Sequence, residues 1–283
     1  MGAAADPVNV RFALTNRAEN VRLVRELLAG IGSAVRLGDA TLDDAMIAVS
    51  EASNNAVMHA YGGAEGPLEL DLGVHEGRLE VRCRDYGYGI VPDGYRDPVA
   101  AGGFGLAAIK AFTDGSEITA PPGAGTMVRM TFSAPEVSRL QAARDELLDA
   151  AVELDLGAGP RIVISPRGLV NPILSRLVTA VAAQAGFTID RLSDAQLLID
   201  ALTGSGAPYM SGDGVVAALT SERRRLEVRI GPLSSRGVEA LSGGPPYGSL
   251  GLIMAKLTDS YGHEQWSGLD MLSVVLTDRR PPA

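Results

Sequence analysis

The sequence predicts an α+β protein whose sheet carries helices on one face, and it predicts that unit twice. Two observations carry the prediction. Over the first 133 residues, apolar periodicity switches between alternation and helical spacing in the order β-α-α-β-β-α-β-β. Short words then recur in the second half at near-constant separations. RLEVR occurs at 78–82 and 225–229, and L-x-D-A at Leu42–Ala45 and Leu192–Ala195. Gly-Leu precedes an apolar helix at Gly105-Leu106 and again at Gly251-Leu252. Each pair is weak alone. Their shared order and spacing of 146–150 residues indicate a tandem duplication.

Each element has its own signal. Val8 to Leu14 alternates and reads as a strand. Asn16 to Leu37 carries Val21, Val24, Leu27 and Leu28 at helical spacing. Gly38-Asp39 breaks that helix, and Asp39 or Thr41 is placed to cap the next. The second helix runs through Tyr61, with Leu42, Ala45, Met46, Val49, Ala52, Ala56, Val57 and Ala60 as its apolar stripe. After the loop GGAEGP, Leu68–Val74 and Arg78–Cys83 form a hairpin about His75–Gly77. Tyr86 to Gly103 is rich in Gly and Pro and is expected to be a mobile loop. Phe104–Phe112 reads as the third helix, and Glu117–Ala120 and Thr126–Ser133 as strands around PPGAG.

Ala134 to Leu156 reads as a linking helix, with Val137, Leu140, Leu147, Leu148 and Val152 apolar. The predicted domains are therefore 1–134 and 159–283, joined by 135–158. In the second, strands are expected at Arg161–Ser165, Val215–Leu219, Leu226–Ile230 and Leu269–Leu276. Helices are expected from Leu169, over Leu192–Leu202, and from Leu250.

Composition narrows the function. The chain is 46% hydrophobic but only 5% aromatic, so its core is aliphatic and Ala-rich. A net charge of −9 argues against general affinity for nucleic acid or anionic membrane, and leaves a basic protein partner open. Cys83 is the sole cysteine, which excludes a disulfide framework and a cysteine zinc site. The N-terminus lacks a basic stretch followed by an apolar core, and Asp6 spoils a myristoylation pattern. No run is long and apolar enough for a bilayer. A cytoplasmic location is the expectation.

Three stretches carry chemistry. In SEASNNAVMHAY, an ideal helix places Glu51, Asn55 and His59 on one strip, a turn apart. By itself that strip is either a solvated face or a site. In RDYGYGI, Asp85 ends a strand and is an acceptor for an amino group such as that of adenine; Gly87 and Gly89 then permit a close backbone approach. A turn after a strand often has the same residues. In AGGFGLAAIKAFTD, Gly102, Gly103 and Gly105 lead into a helix whose free N–H groups suit phosphate. An ordinary Gly-rich helix start reads the same way, and no Gly-Lys-Ser/Thr follows to make a P-loop.

Taken in order, E-x-x-x-N-x-x-x-H-x-Y, D-x-G-x-G and G-G-x-G-L resemble the GHKL (Bergerat-fold) ATP-binding module over roughly residues 8–133. The wording EASNNAVMHAY, the short interval to GGFGL and the closing GTMVRMTF resemble most the bacterial anti-sigma-factor serine/threonine kinases. The resemblance implies a two-layer α/β sandwich that binds ATP and Mg²⁺. It implies Asn55 as metal ligand, Glu51 as catalytic base and Asp85 on adenine. Gly87, Gly89, Gly102, Gly103, Phe104, Gly105 and Leu106 match nucleotide-contacting positions, and Thr126 matches a threonine supporting the adenine site. The loop over the nucleotide is short here. His59 fits packing at its helix end better than a role in the site.

The chemistry of the residues agrees with these roles. An amide oxygen is acceptable in the hard shell of Mg²⁺, and a carboxylate one turn away can take a hydroxyl proton. The resemblance further implies two partners, a STAS-type anti-anti-sigma protein as phosphate acceptor and a sigma factor held in a complex. Family members generally carry one such domain and pair as homodimers. Here the repeat offsets put Ala201 in place of Glu51, Ser205 of Asn55, Tyr209 of His59 and Pro232 of Asp85. Gly248 and Gly251 remain. The second copy is thus expected to fold without binding Mg-ATP, and to pair with the first as an internal pseudo-dimer. The competing function is an ATP-responsive protein that sequesters a regulator without transferring phosphate; retention of Glu51 favours a kinase. Three histidines, none in a helix pair ahead of the module, leave a histidine kinase without an obvious phosphoacceptor.

Overall fold

The computed structural model describes residues 8–89, 103–121, 123–141, 143, 147–148, 159–242 and 254–279. The chain divides into two compact units, Met1–Ala142 and Ala143–Ala283.

The N-terminal unit is built on five antiparallel strands. β1 (Val10–Thr15), β2 (Pro67–His75), β3 (Arg78–Asp85), β4 (Gly115–Thr119) and β5 (Met127–Ser133) lie in the order β4-β5-β3-β2-β1. Alternation decides which side each residue takes. Val10, Phe12 and Leu14 of β1, Leu68, Leu70 and Leu72 of β2, and Leu79, Val81 and Cys83 of β3 are all buried. The intervening positions carry charge. Arg11 forms a bidentate pair with Asp71 at 2.7 and 2.9 Å. Glu80 accepts from Arg82 at 2.8 Å and from Arg129 at 2.7 Å. Burial alone raises the Glu80 pKa, but the hydrogen bonds and charges of Arg129 and Arg82 outweigh it and hold the carboxyl below its usual value.

The apolar side is covered by α1 (Val21–Val35) and α2 (Asp39–Asn55), with α3 (Gly103–Ala111) beside α2. α1 buries Leu23, Val24, Leu27, Leu28 and Ile31; α2 buries mostly small residues, Ala45, Ala48, Val49, Ala52 and Ser53. The two-layer α+β architecture predicted from the sequence is thus the one observed.

Three expectations need correction. Neither Asp39 nor Thr41 caps α2; Gly38 holds the cap position, its N–H donates to Glu136 Oε1 at 2.9 Å, and the Thr41 hydroxyl donates to Ser133 O. The second helix does not continue as α to Tyr61, because residues Ala56–Ala60 form a π turn. The wider turn alters the carbonyl directions, and outside groups take them up: Asn16 Nδ2 donates to Ala56 O at 3.4 Å and Tyr88 N to Ala60 O at 3.0 Å. Finally, residues 134–141 are not the start of a linking helix but turn and irregular chain. Their backbone is held by the hairpin, with Ala134 N donating to Gly77 O, Gly77 N to Val137 O and Leu140 N to Val74 O. The apolar spacing of Val137 and Leu140 reflects packing there. Within the rest of the predicted linker, 147–148 are helical and 142, 144–146 and 149–158 lie outside the described residues.

The C-terminal unit contains β6 (Arg161–Ile164), α4 (Val170–Gln184), α5 (Ile189–Thr203), β7 (Val215–Glu222), β8 (Arg225–Gly231), α6 (Ser235–Ser242), β9 (Ser260–Trp266) and β10 (Leu269–Thr277). Its strands follow the order β9-β10-β8-β7-β6, the same connectivity as in the first unit. β9 and α6 were not expected from sequence. Of the helix expected from Leu250, only 254–257 falls among the described residues and is helical.

Candidate functional site

The site is assembled from the end of α2, the end of β3, the start of α3 and the turn before β5. Helical spacing brings Glu51 and Asn55 to one side of α2, both half-buried. Gly105, in the first turn of α3, packs directly on them. A Cβ at Gly105 would stand 3.1 Å from both Asn55 Oδ1 and Nδ2, and 3.4 Å from Glu51 Oε2. Glycine therefore lets the start of α3 approach the amide and the carboxylate together.

Asp85 is 6% exposed at the end of β3. Its Oδ1 accepts from Gly87 N at 3.0 Å and from Thr126 N at 3.1 Å, and Asp85 N donates to Thr126 O at 2.9 Å. Among the described residues nothing donates to Oδ2. One oxygen is thus clamped by the backbone while the other is left without a donor among the described residues. Thr126 supports Asp85 through its main chain.

Gly87 and Gly89 have structural tasks at this place. A Cβ on Gly87 would lie 1.9 Å from Ala60 O, and one on Gly89, at φ +71°, 2.7 Å from Pro121 O. Both hold the loop after β3 against its neighbours. Leu106 lies in α3, half-buried; Gly103 and Phe104 are in its first turn. Gly102 and most of the predicted loop, 90–102, lie outside the described residues.

His59 does not pack as expected. It is exposed on the π turn and makes no hydrogen bond or ion pair among the described residues. The change to i→i+5 bonding after Asn55 breaks the four-residue recurrence that put it in line with Glu51 and Asn55.

Two contributors had no assigned role in the sequence reading. The Tyr61 hydroxyl accepts from Tyr86 N at 2.8 Å and donates to Pro67 O at 2.5 Å. Gly125, at φ +77°, would place a Cβ 2.1 Å from Asp85 O. Tyr61 closed the helix motif and Gly125 sat in a turn word, but neither spacing says what it would touch. Cys83 on β3 is buried beside Ser53, and desolvation pushes its thiol up to about 12.

The donor set fits nucleotide and magnesium. Asn55 and Glu51 offer oxygen donors next to a helix start suited to phosphate. The described residues contain no group of three or more His, Cys, Asp or Glu that holds a metal by itself.

A two-layer unit with these features is a nucleotide-binding ATPase module. Residues 14–132 match the family model of the histidine kinase-like ATPase domain. The chain belongs to this GHKL superfamily of ATPases, near the anti-sigma-factor serine kinases. It is 33% identical over 126 residues to the serine-protein kinase RsbW of Bacillus velezensis, covering 40% of this chain and 78% of that one. It is 31% identical over 144 residues to RsbW of Bacillus licheniformis, 46% and 88% of the two chains. RsbW of Oceanobacillus iheyensis is 28% identical over 141 residues, 45% and 89%. Among the described residues no helix is long and apolar enough to cross a membrane.

Proposed function

We propose that this protein is an ATP-dependent serine/threonine kinase of a partner-switching pathway, with its chemistry in the N-terminal unit. The observation that carries the reading is the meeting of Glu51 and Asn55 with the first turn of α3 at Gly105. Asp85 Oδ2 would accept a hydrogen bond from the adenine amine, and the amides at the start of α3 would hold the phosphates. Asn55 gives its amide oxygen to magnesium. Bound Mg²⁺ supplies the positive charge that offsets the phosphates. Glu51 orients the acceptor hydroxyl and takes its proton. The acceptor is a STAS-type protein and the sequestered partner a sigma factor, in keeping with the anti-sigma kinases.

The C-terminal unit is proposed to be a second copy of the same domain without the site. Its strand order and the two RLEVR strands support this, and Ala201, Ser205 and Pro232 offer none of the lost chemistry. The test is transfer of label from ATP to STAS proteins encoded nearby. Transfer by the wild type and its loss in Glu51→Gln are expected. ATP binding without transfer to any candidate would instead leave a sequestering protein.

A further inference from the structure

We propose that Tyr61 is a positioning residue that aims Asp85 and thereby sets discrimination between adenine and guanine nucleotides. The inference rests on Asp85 binding the base. The carboxylate can choose a base only if its direction is held, because guanine presents a carbonyl oxygen where adenine presents an amine. One of the bonds that hold it, from Gly87 N to Oδ1, depends on the path of the chain through Tyr86; the other comes from Thr126 N, just before β5.

That path is braced from both sides. The Tyr86 hydroxyl donates to Glu69, and the Arg84 guanidinium lies 4.5 Å from the ring centre. The Tyr86 N–H is taken by the Tyr61 hydroxyl. Tyr61 in turn donates to Pro67 O at the start of β2. Desolvation raises the Tyr61 pKa above its usual value, so the hydroxyl keeps the proton it donates. Its ring is seated over Gly66, where a Cβ would fall 2.3 Å from ring carbons. One side chain therefore ties the end of the α2 turn, the start of β2 and the residue after Asp85.

The C-terminal unit supplies the contrast. After β8, Met210 and Leu233 form a backbone bridge and Ser211 N donates to Pro232 O at 2.8 Å. The two segments zip together directly. In the N-terminal unit Tyr88 N donates directly to Ala60 O, but at Tyr86 N a tyrosine hydroxyl makes the link.

The experiment is calorimetry on the whole chain with Mg²⁺ and non-hydrolysable ATP and GTP analogues. In Y61F the ring stays and both hydroxyl bonds are lost; the one that reaches the Asp85 loop is that from Tyr86 N, so ATP affinity should fall about three- to tenfold, the scale of one hydrogen bond. GTP affinity should fall less, compressing the ratio. Gly66→Ala keeps the hydroxyl but displaces the ring, and should compress the ratio too; it serves if Y61F does not fold. A ratio equal to wild type in the folded variants, even with a lower melting temperature, would overturn the role of Tyr61. If the wild type binds no ATP, or Asp85→Asn binds both analogues unchanged, the reading of the site itself falls.

Discussion

The strands β3 and β8 both begin Arg-Leu-Glu-Val-Arg and diverge at their ends. In both, Leu and Val face the core and the glutamate is held by arginines. Glu80 bonds Arg82 and Arg129; Glu227 pairs with Arg225 at 3.2 Å and Arg229 at 2.5 Å. Beyond the shared word, β3 continues to Asp85, whose Oδ1 is clamped and whose Oδ2 is spare. β8 continues to Gly231-Pro232-Leu233, where Leu233 N donates to Asp270 O and Leu233 bridges to Met210. Charge pairing and core alternation set the strand, whereas a few terminal residues decide whether its end is an acceptor or a seam. The fold tolerates either ending because neither supplies much of its apolar core.

The largest effect expected from this contrast is chemical. Glu51→Gln should cut phosphoryl transfer about 10²–10⁴-fold, the usual scale for a general base, with ATP binding nearly unchanged. Transfer at the wild-type rate would remove Glu51 as the base. The reverse change, Ala201→Glu, should add nothing.

Next comes binding. Asp85→Asn should weaken ATP about 10- to 100-fold, the cost of a hydrogen bond to a charged acceptor. Calorimetry on the wild type should give one site per chain, and Pro232→Asp should not create a second. A stoichiometry near two would break the distinction between the units.

The glycine contacts sharpen it. Gly87→Ala drives a methyl toward Ala60 O, and Gly237→Ala drives one toward Tyr209 O, at 1.9 and 2.4 Å before relaxation. Each should lower stability by about 1–3 kcal/mol, as overpacking does. Only Gly87→Ala should also weaken ATP. Equal effects on binding would mean that the loop after β3 does not shape the site.

The smallest effect is linked to pH. The Glu80 carboxyl has a folded pKa below its unfolded value, near 4.5. Its contribution is therefore full above that value and fades as the pH falls through the folded pKa. Glu80→Gln should flatten acid unfolding below about pH 4.5. An unchanged acid limb would show that Glu80 carries none of it.

Much of the fold was legible because its signals are local. Alternation in Val10–Leu14 and RLEVR marks strands, and the Ala-rich stripe of α2 marks the helix that packs on them. The Gly-rich start of α3 and the Asp at the end of β3 were visible as residue types at element ends. What local signals do not carry is where a freed backbone group finds its partner. The linker residues Val137 and Leu140 look helical by spacing, but the hairpin at Gly77 captures their backbone. His59 falls in line with Glu51 only on an ideal helix, and the π turn that moves it has its carbonyls met by Asn16 and Tyr88 from distant parts of the chain.

By itself, then, the sequence determined the two-layer unit, the order of its elements and the residue types at the site, since periodicity and end residues act over a few positions. Only the tertiary structure decided that Gly105 lets α3 rest on Glu51 and Asn55. It also decided that Asp85 has one clamped oxygen and one spare, and that Tyr61 joins the start of β2 to the residue after β3. Most of these contacts, Gly105 with Asn55, Thr126 with Asp85 and Tyr86 with Tyr61, join segments tens of residues apart, and they depend on close approaches that no spacing in the chain encodes.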